Sequence, residues 1–189
     1  VLAVAESPGP DEVTHGRPLV GRSGAEWNHA LSCCGKKRTD IDLDCVVSCK
    51  PPGQASGAWR RLDRQLDKLN KKRAVDGESR IPHPSECCAP RLKATVERYD
   101  AVLTMGRTAT ASVTGNSSSI FGSRGGPLRM DDGKRALPTL HPAFVLRSPS
   151  WRSVFHSDVA KAFRWFNDTL RWTAPDTLWR PDPYELQQW

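Results

Sequence analysis

Four apolar runs of strand length, at residues 1–5, 45–47, 101–105 and 136–140, alternate with helical stretches near residues 23–34, 86–98, 107–114 and 153–170. This alternation narrows the fold more than any other feature. Parallel strands cannot be joined by tight hairpins and need long crossovers, normally helices, so the pattern predicts a parallel sheet covered on both faces. The 189 residues suit one domain with a sizeable core. In such sheets ligands bind beyond the carboxyl ends of the strands. Two segments there carry chemistry. Glu6-Ser7-Pro8-Gly9-Pro10-Asp11-Glu12 follows the first run with a carboxylate on a Gly/Pro-shaped backbone, and His141-Pro142-Ala143-Phe144-Val145-Leu146-Arg147 follows the last with an imidazole.

Lysine and arginine outnumber aspartate and glutamate 28 to 21, a net charge of +7 that points to a polyanion, nucleic acid first. No apolar run approaches the length of a membrane span, and the opening run is too short for a signal peptide. Val1 begins what reads as a core strand, so upstream sequence is expected. Six cysteines are too sparse for a disulfide scaffold and read as intracellular thiols or metal ligands, which fits a cytoplasmic setting. Residues 54–78 have the texture of an insert: from Trp59 to Arg73, seven basic residues face two acidic ones, and Leu62, Leu66 and Leu69 share a helical face. Two readings stand for this basic amphipathic helix, a solvated helix docked by its leucines or a DNA contact. Pro175, Pro181 and Pro183 mark residues 173–189 as a linker-like tail and leave 1–172 as the domain.

In chain order, Ala5-Glu6-Ser7-Pro8-Gly9-Pro10-Asp11-Glu12, Gly16-Arg17-Pro18-Leu19-Val20-Gly21-Arg22-Ser23-Gly24, Val46-Val47-Ser48-Cys49-Lys50-Pro51-Pro52-Gly53, Cys88-Ala89-Pro90-Arg91-Leu92, Gly106-Arg107-Thr108-Ala109 and the His141 segment resemble the motifs of the uracil-DNA glycosylase superfamily, and within it the iron–sulfur branch called family 4. The similarity covers most of residues 1–165. It extends to the glycosylase-like domain of phage DNA polymerases, where the tail would lead to an exonuclease or polymerase domain of the same polypeptide. The resemblance implies a three-layer α/β/α sandwich with a central four-stranded parallel sheet. It also implies hydrolysis of the N-glycosidic bond of a deaminated base flipped out of DNA. Glu6 would then position or activate water, and His141 would donate to the departing base. Ser7, Pro8, Gly9, Leu19 and Cys45 would surround the base. Gly106, Arg107, Arg124, Phe144, Leu146, Arg147 and Ser148 would meet the DNA, with Phe144 and Leu146 either wedge or core. Cys49 and Cys88 would be two of the four thiolates of a [4Fe–4S] cluster.

The chain departs from the family where the base is read. Leu19 stands where the family has a phenylalanine that stacks on uracil, and Cys45 where it has an asparagine that reads the edge. Ser7 replaces an alanine or glycine. An aromatic face contributes about 1–3 kcal/mol to holding a base, and an amide donates and accepts where a thiol does both weakly. Two functions therefore remain, a glycosylase of weakened activity and a catalytically degenerate DNA-binding module of a phage polymerase or replication protein. The family's upstream Cys-x-x-Cys pair has no counterpart here, so the cluster either draws two ligands from missing sequence or does not form. Zinc held by Cys49, Cys87, Cys88 and His83 is a minor alternative. Arg80-Ile81-Pro82-His83-Pro84 loosely resembles a loop that carries a covalent histidine in some relatives, and reads more simply as a rigid turn.

Overall fold

The computed structural model describes residues 1–50 and 58–171. The tail 173–189 and the first residues of the expected insert lie outside them. Strands β1 (Leu2–Ala5), β2 (Asp42–Cys45), β3 (Ala101–Met105), β4 (Leu128–Arg129) and β5 (Arg135–Thr139) form one sheet in the order β2-β1-β3-β5-β4. Four of them are parallel, as the sequence implies. The fifth, β4, is a correction to the four-stranded expectation: it runs antiparallel to β5, with Leu128 opposite Ala136. Two residues leave no period to detect.

The second strand also starts earlier than its apolar run. β2 reads Asp-Leu-Asp-Cys, in register with β1 from Leu2 opposite Asp42 to Ala5 opposite Cys45. As an edge strand it tolerates charge. Asp44 pairs with Arg91 at 2.7 Å, and Asp42 accepts the Tyr99 hydroxyl at 2.9 Å. Val46 and Val47 prolong the contact, their amides donating to the carbonyls of Ala5 and Glu6.

Among the described residues the helices are α1 (Pro10–His15), α2 (Arg22–Cys33), α3 (Ala58–Val75), α4 (Pro84–Val96), α5 (Arg107–Thr114), α6 (Ile120–Ser123), α7 (Pro142–Arg147) and α8 (Arg152–Phe166). The period of two in the strands divides the core between them. Leu2, Val4 and Val102 point to a cluster with Trp59, Leu92, Val96 and Ala109 from α3, α4 and α5. Ala3, Ala5, Leu103, Met105 and Leu137 point to the other face, against Trp27, Val145 and Phe155 from α2, α7 and α8. Buried Glu26 staples α2 to α8: it accepts from His156 Nε2 at 3.0 Å and Arg152 Nε at 3.1 Å, which compensates a carboxylate that could not otherwise be buried.

The basic helix α3 docks by more than its leucines. Trp59 is buried and Leu62 packs half-buried on the core, but Leu69 remains 42% exposed. The second attachment is polar. His83, at the N-terminus of α4, places Nδ1 3.0 Å from Asp63 and Nε2 3.1 Å from Asp67. Those two carboxylates raise its pKa. Both ring nitrogens are thereby engaged, and Asn70 exchanges two 2.8 Å hydrogen bonds with the Ile81 backbone. The rigid-turn reading fits this segment, and neither nitrogen is left to attack a sugar. Among the described residues no helix is long and apolar enough to cross a membrane.

Candidate active site

From β1 the chain passes to β2 on one side and later to β3 on the other, which opens a crevice at the carboxyl ends of β1 and β3. Glu6 is the first residue after β1. Gly106, the first after β3, has a φ of 88°, a conformation that favours glycine. Its amide donates to the Thr139 carbonyl at 2.8 Å, and a Cβ there would stand 3.5 Å from the Cβ of His141. The tight turn starts α5 so that Thr108, in its first turn, donates its hydroxyl to Glu6 Oε1 at 2.9 Å. The carboxylate thus lies at the positive end of a helix, where negative charge is stabilised.

His141 leaves β5 and caps α7. Its Nδ1 accepts the Ala143 amide at 3.1 Å. A ring nitrogen that accepts carries no proton, so the neutral imidazole holds its hydrogen on Nε2 and is a donor there. Burial, helped by the charge of Arg147, lowers its pKa to about 4. His141 is therefore neutral at ordinary pH.

On the β2 side lies a cavity of about 370 Å³ lined by residues including Pro8, Glu12, Arg17, Asp44, Cys45 and Ser48. Pro8 and Cys45 are the two expected base-binding residues that line it. The Cys45 thiol is pushed up to about 12 by burial and then by Asp44, so it stays S–H. Ser7 instead accepts the Trp59 indole N–H at 2.6 Å, and the Gly9 amide donates to Glu12 at 3.0 Å. Leu19 is buried in the core with a φ of 51°. Such a conformation costs a non-glycine residue about 1–2 kcal/mol, and Arg38 holds it by donating to the carbonyls of Pro18 and of Leu19, the latter at 2.6 Å. Gly24 leaves the room this needs: a Cβ there would come 1.8 Å from the Leu19 oxygen.

Of the residues expected on DNA, Arg107 and Arg147 are exposed, whereas Gly106, Phe144, Leu146 and Ser148 are half-buried. Val145 between them is core. Arg124 is turned inward: Nε donates to buried Asp158 at 2.7 Å and a terminal nitrogen donates to the other oxygen. Asp158 also accepts the Thr139 hydroxyl at 3.0 Å, so this pair supports the end of β5. Sequence reasoning gave Thr108 only a backbone role, in a helix start whose N–H groups could take a phosphate, and gave no side-chain role to Thr108, Trp59 or Glu12. Glu12 also accepts the Val20 amide at 3.1 Å and so ties the two glycine-rich loops together. Its three-residue spacing from Gly9 at a helix start was the available signal.

All six cysteines are free. Cys49 is exposed and Cys88 half-buried against the core. A [4Fe–4S] cluster takes four thiolates, of which Cys49 and Cys88 would supply two. Among the described residues the one group of three metal-capable side chains with ligand atoms within 4.8 Å is Glu26, His29 and His156. It contains none of the proposed zinc ligands, and Arg152 already neutralises Glu26.

Residues 1–171 match the family model described as the Uracil DNA glycosylase superfamily. The chain is 31% identical over 169 residues to the type-4 uracil-DNA glycosylase of Thermotoga maritima, covering 86% of this chain and 75% of that protein. Similarity to the type-4 uracil-DNA glycosylase of Pyrobaculum aerophilum is 30% over 165 residues, 86% and 76% of the two chains. For the enzyme of the same name from Archaeoglobus fulgidus it is 25% over 166 residues, 85% and 74%.

Proposed function

The chain belongs to the uracil DNA glycosylase superfamily, and from that premise we propose that it binds DNA and hydrolyses the N-glycosidic bond of a flipped deaminated base, uracil first, at a reduced rate. The observation that carries this reading is the pair of prepared groups around the β1–β3 crevice, Glu6 held by Thr108 and a neutral His141 with its proton on Nε2. As the bond between C1′ and the base nitrogen lengthens, its electron pair moves onto the base and positive charge builds on the sugar. A donor at a base oxygen and an anion near the sugar stabilise that separation, because each meets charge that grows only in the transition state. His141 Nε2–H supplies the donor and Glu6 the anion. Water then bonds to C1′, and Glu6 accepts its proton. A neutral histidine suits this role, since it stabilises the base anion without holding a second ionisable proton.

The reduced rate follows from the recognition side. Cys45 faces the cavity with a thiol that neither donates nor accepts strongly, and Leu19 has no aromatic face. The same two residues favour the second reading, a DNA-holding domain of a phage polymerase or replication protein in which excision is lost. Incubation with uracil-containing single- and double-stranded oligonucleotides, followed by alkali to cut abasic sites, separates the two. Slow, His141-dependent strand cutting supports the glycosylase, and DNA binding without cutting supports the module.

A further inference from the structure

Phe121 is the most exposed phenylalanine or tryptophan among the described residues, at 51%. Water contact over an aromatic ring is unfavourable, and the fold gains little from it: α6 is one turn long and Ile120 already anchors it to the core. The ring is also not isolated. Its centroid lies 5.6 Å from Phe144 at an interplanar angle of 69° and 5.1 Å from Trp151 at 49°, and Phe144 and Trp151 are 6.4 Å apart. Phe144 and Trp151 are half-buried and packed on the core, so they form a fixed base under an open ring.

The cluster stands beside the crevice. Phe144 is in α7, and its amide donates to the His141 carbonyl at 2.8 Å. Phe121 reaches the same edge because the Gly125 amide donates to the Pro138 carbonyl at 2.7 Å, laying the end of the α6 segment along β5. At the close of α7, three residues beyond Phe144, Arg147 is exposed. An open aromatic ring packed against Phe144, three positions from an exposed arginine, on a protein of net charge +7, matches a nucleotide: a base face for the ring and a phosphate for the guanidinium.

We propose that Phe121, backed by Phe144 and Trp151, is a stacking platform for one unpaired base flanking the flipped nucleotide, with Arg147 on the neighbouring phosphate. This rests on the reading that the crevice works on DNA. The platform takes single strands in preference to duplex, since in a duplex the flanking base already stacks on its neighbours. It also shifts the wedge role away from Phe144, whose ring packs against Phe121 and Trp151.

The test is the affinity of the 189-residue protein and its Phe121→Ala and Phe121→Trp variants for a uracil-free single strand and for the matching duplex at fixed salt. Phe121→Ala is expected to weaken single-strand binding about 5- to 150-fold, the range of base–aromatic stacking, with the duplex changed less than about twofold and Phe121→Trp restoring the preference. Unchanged single-strand affinity, equal losses on both forms, or no single-strand binding at all overturns the platform. Excision is assayed separately. Phe121-dependent binding without excision keeps the platform and removes the glycosylase reading, and excision with Phe121-independent binding does the reverse.

Discussion

On the β1–β3–β5 side of the crevice each group proposed to react has a neighbour that holds it: Thr108 donates to Glu6 at 2.9 Å, and the Ala143 amide sets the tautomer of His141 at 3.1 Å. On the β2 side Cys45 meets the cavity with a buried, protonated thiol, while Leu19 turns its carbonyl to Arg38 and its side chain to the core. On the proposed function, the first side holds the groups that would break the bond, and the second offers weaker groups for reading a base.

The largest effects should come from the first side. His141→Ala and Glu6→Gln should each lower single-turnover excision by about 10²–10⁴-fold, as expected of lost acid–base and electrostatic groups, while DNA affinity changes little. Equal losses of binding and rate would make these residues part of DNA docking and dissolve the division. Next comes the support of Leu19. Gly24→Ala forces a methyl against the Leu19 carbonyl, 1.8 Å from where its Cβ would stand, and should destabilise the chain by about 1–3 kcal/mol in urea unfolding. A neutral result would mean that the Leu19 loop moves freely.

Two histidines give a smaller contrast with opposite signs. His141, lowered to about 4 by burial, is neutral in the folded chain where an unfolded imidazole, with a pKa of about 6.5, takes a proton. Its share of stability is present above that unfolded value and is lost as pH falls toward 4. His83 is raised by Asp63 and Asp67, so its share is complete below the unfolded value and is lost as pH rises through the raised one. Urea midpoints of His141→Asn and His83→Gln against the parent between about pH 4 and 8 should therefore diverge with opposite slopes. The smallest effect concerns α3. Replacing exposed Lys68, Lys71 and Lys72 by serine should flatten the log–log salt dependence of duplex binding by roughly 2–3, if each meets a phosphate. An unchanged slope assigns the outer face to solvent.

The apolar runs made β1, β3 and β5 readable to within a residue or so, and α5 runs over the expected 107–114. β2 was misplaced because an edge strand that pairs its aspartates with Arg91 and Tyr99 does not look apolar. Glu6 and His141 were visible as residues at strand ends in recognisable motifs. Their partners were not equally visible. Thr108 lies 102 residues from Glu6, and Trp59 lies 52 from Ser7. Such pairings exist only once crossover connections bring loops to one sheet edge, and local pattern holds no record of them. Arg124 shows the converse: an arginine in a basic chain reads as a DNA contact until the fold supplies a buried Asp158.

The division between chemistry and recognition is tested most directly by the single-turnover rate of uracil excision in the parent chain and in the double variant Leu19→Phe/Cys45→Asn, each with and without His141→Ala. Stacking and edge reading act on the same base, so the double variant should exceed either single change by more than their product, with a gain of about 10²-fold from a stacked, hydrogen-bonded base. His141→Ala should remove that gain. A parent chain that already excises uracil at the speed of the double variant, or a double variant that binds DNA and remains inert, would contradict the account.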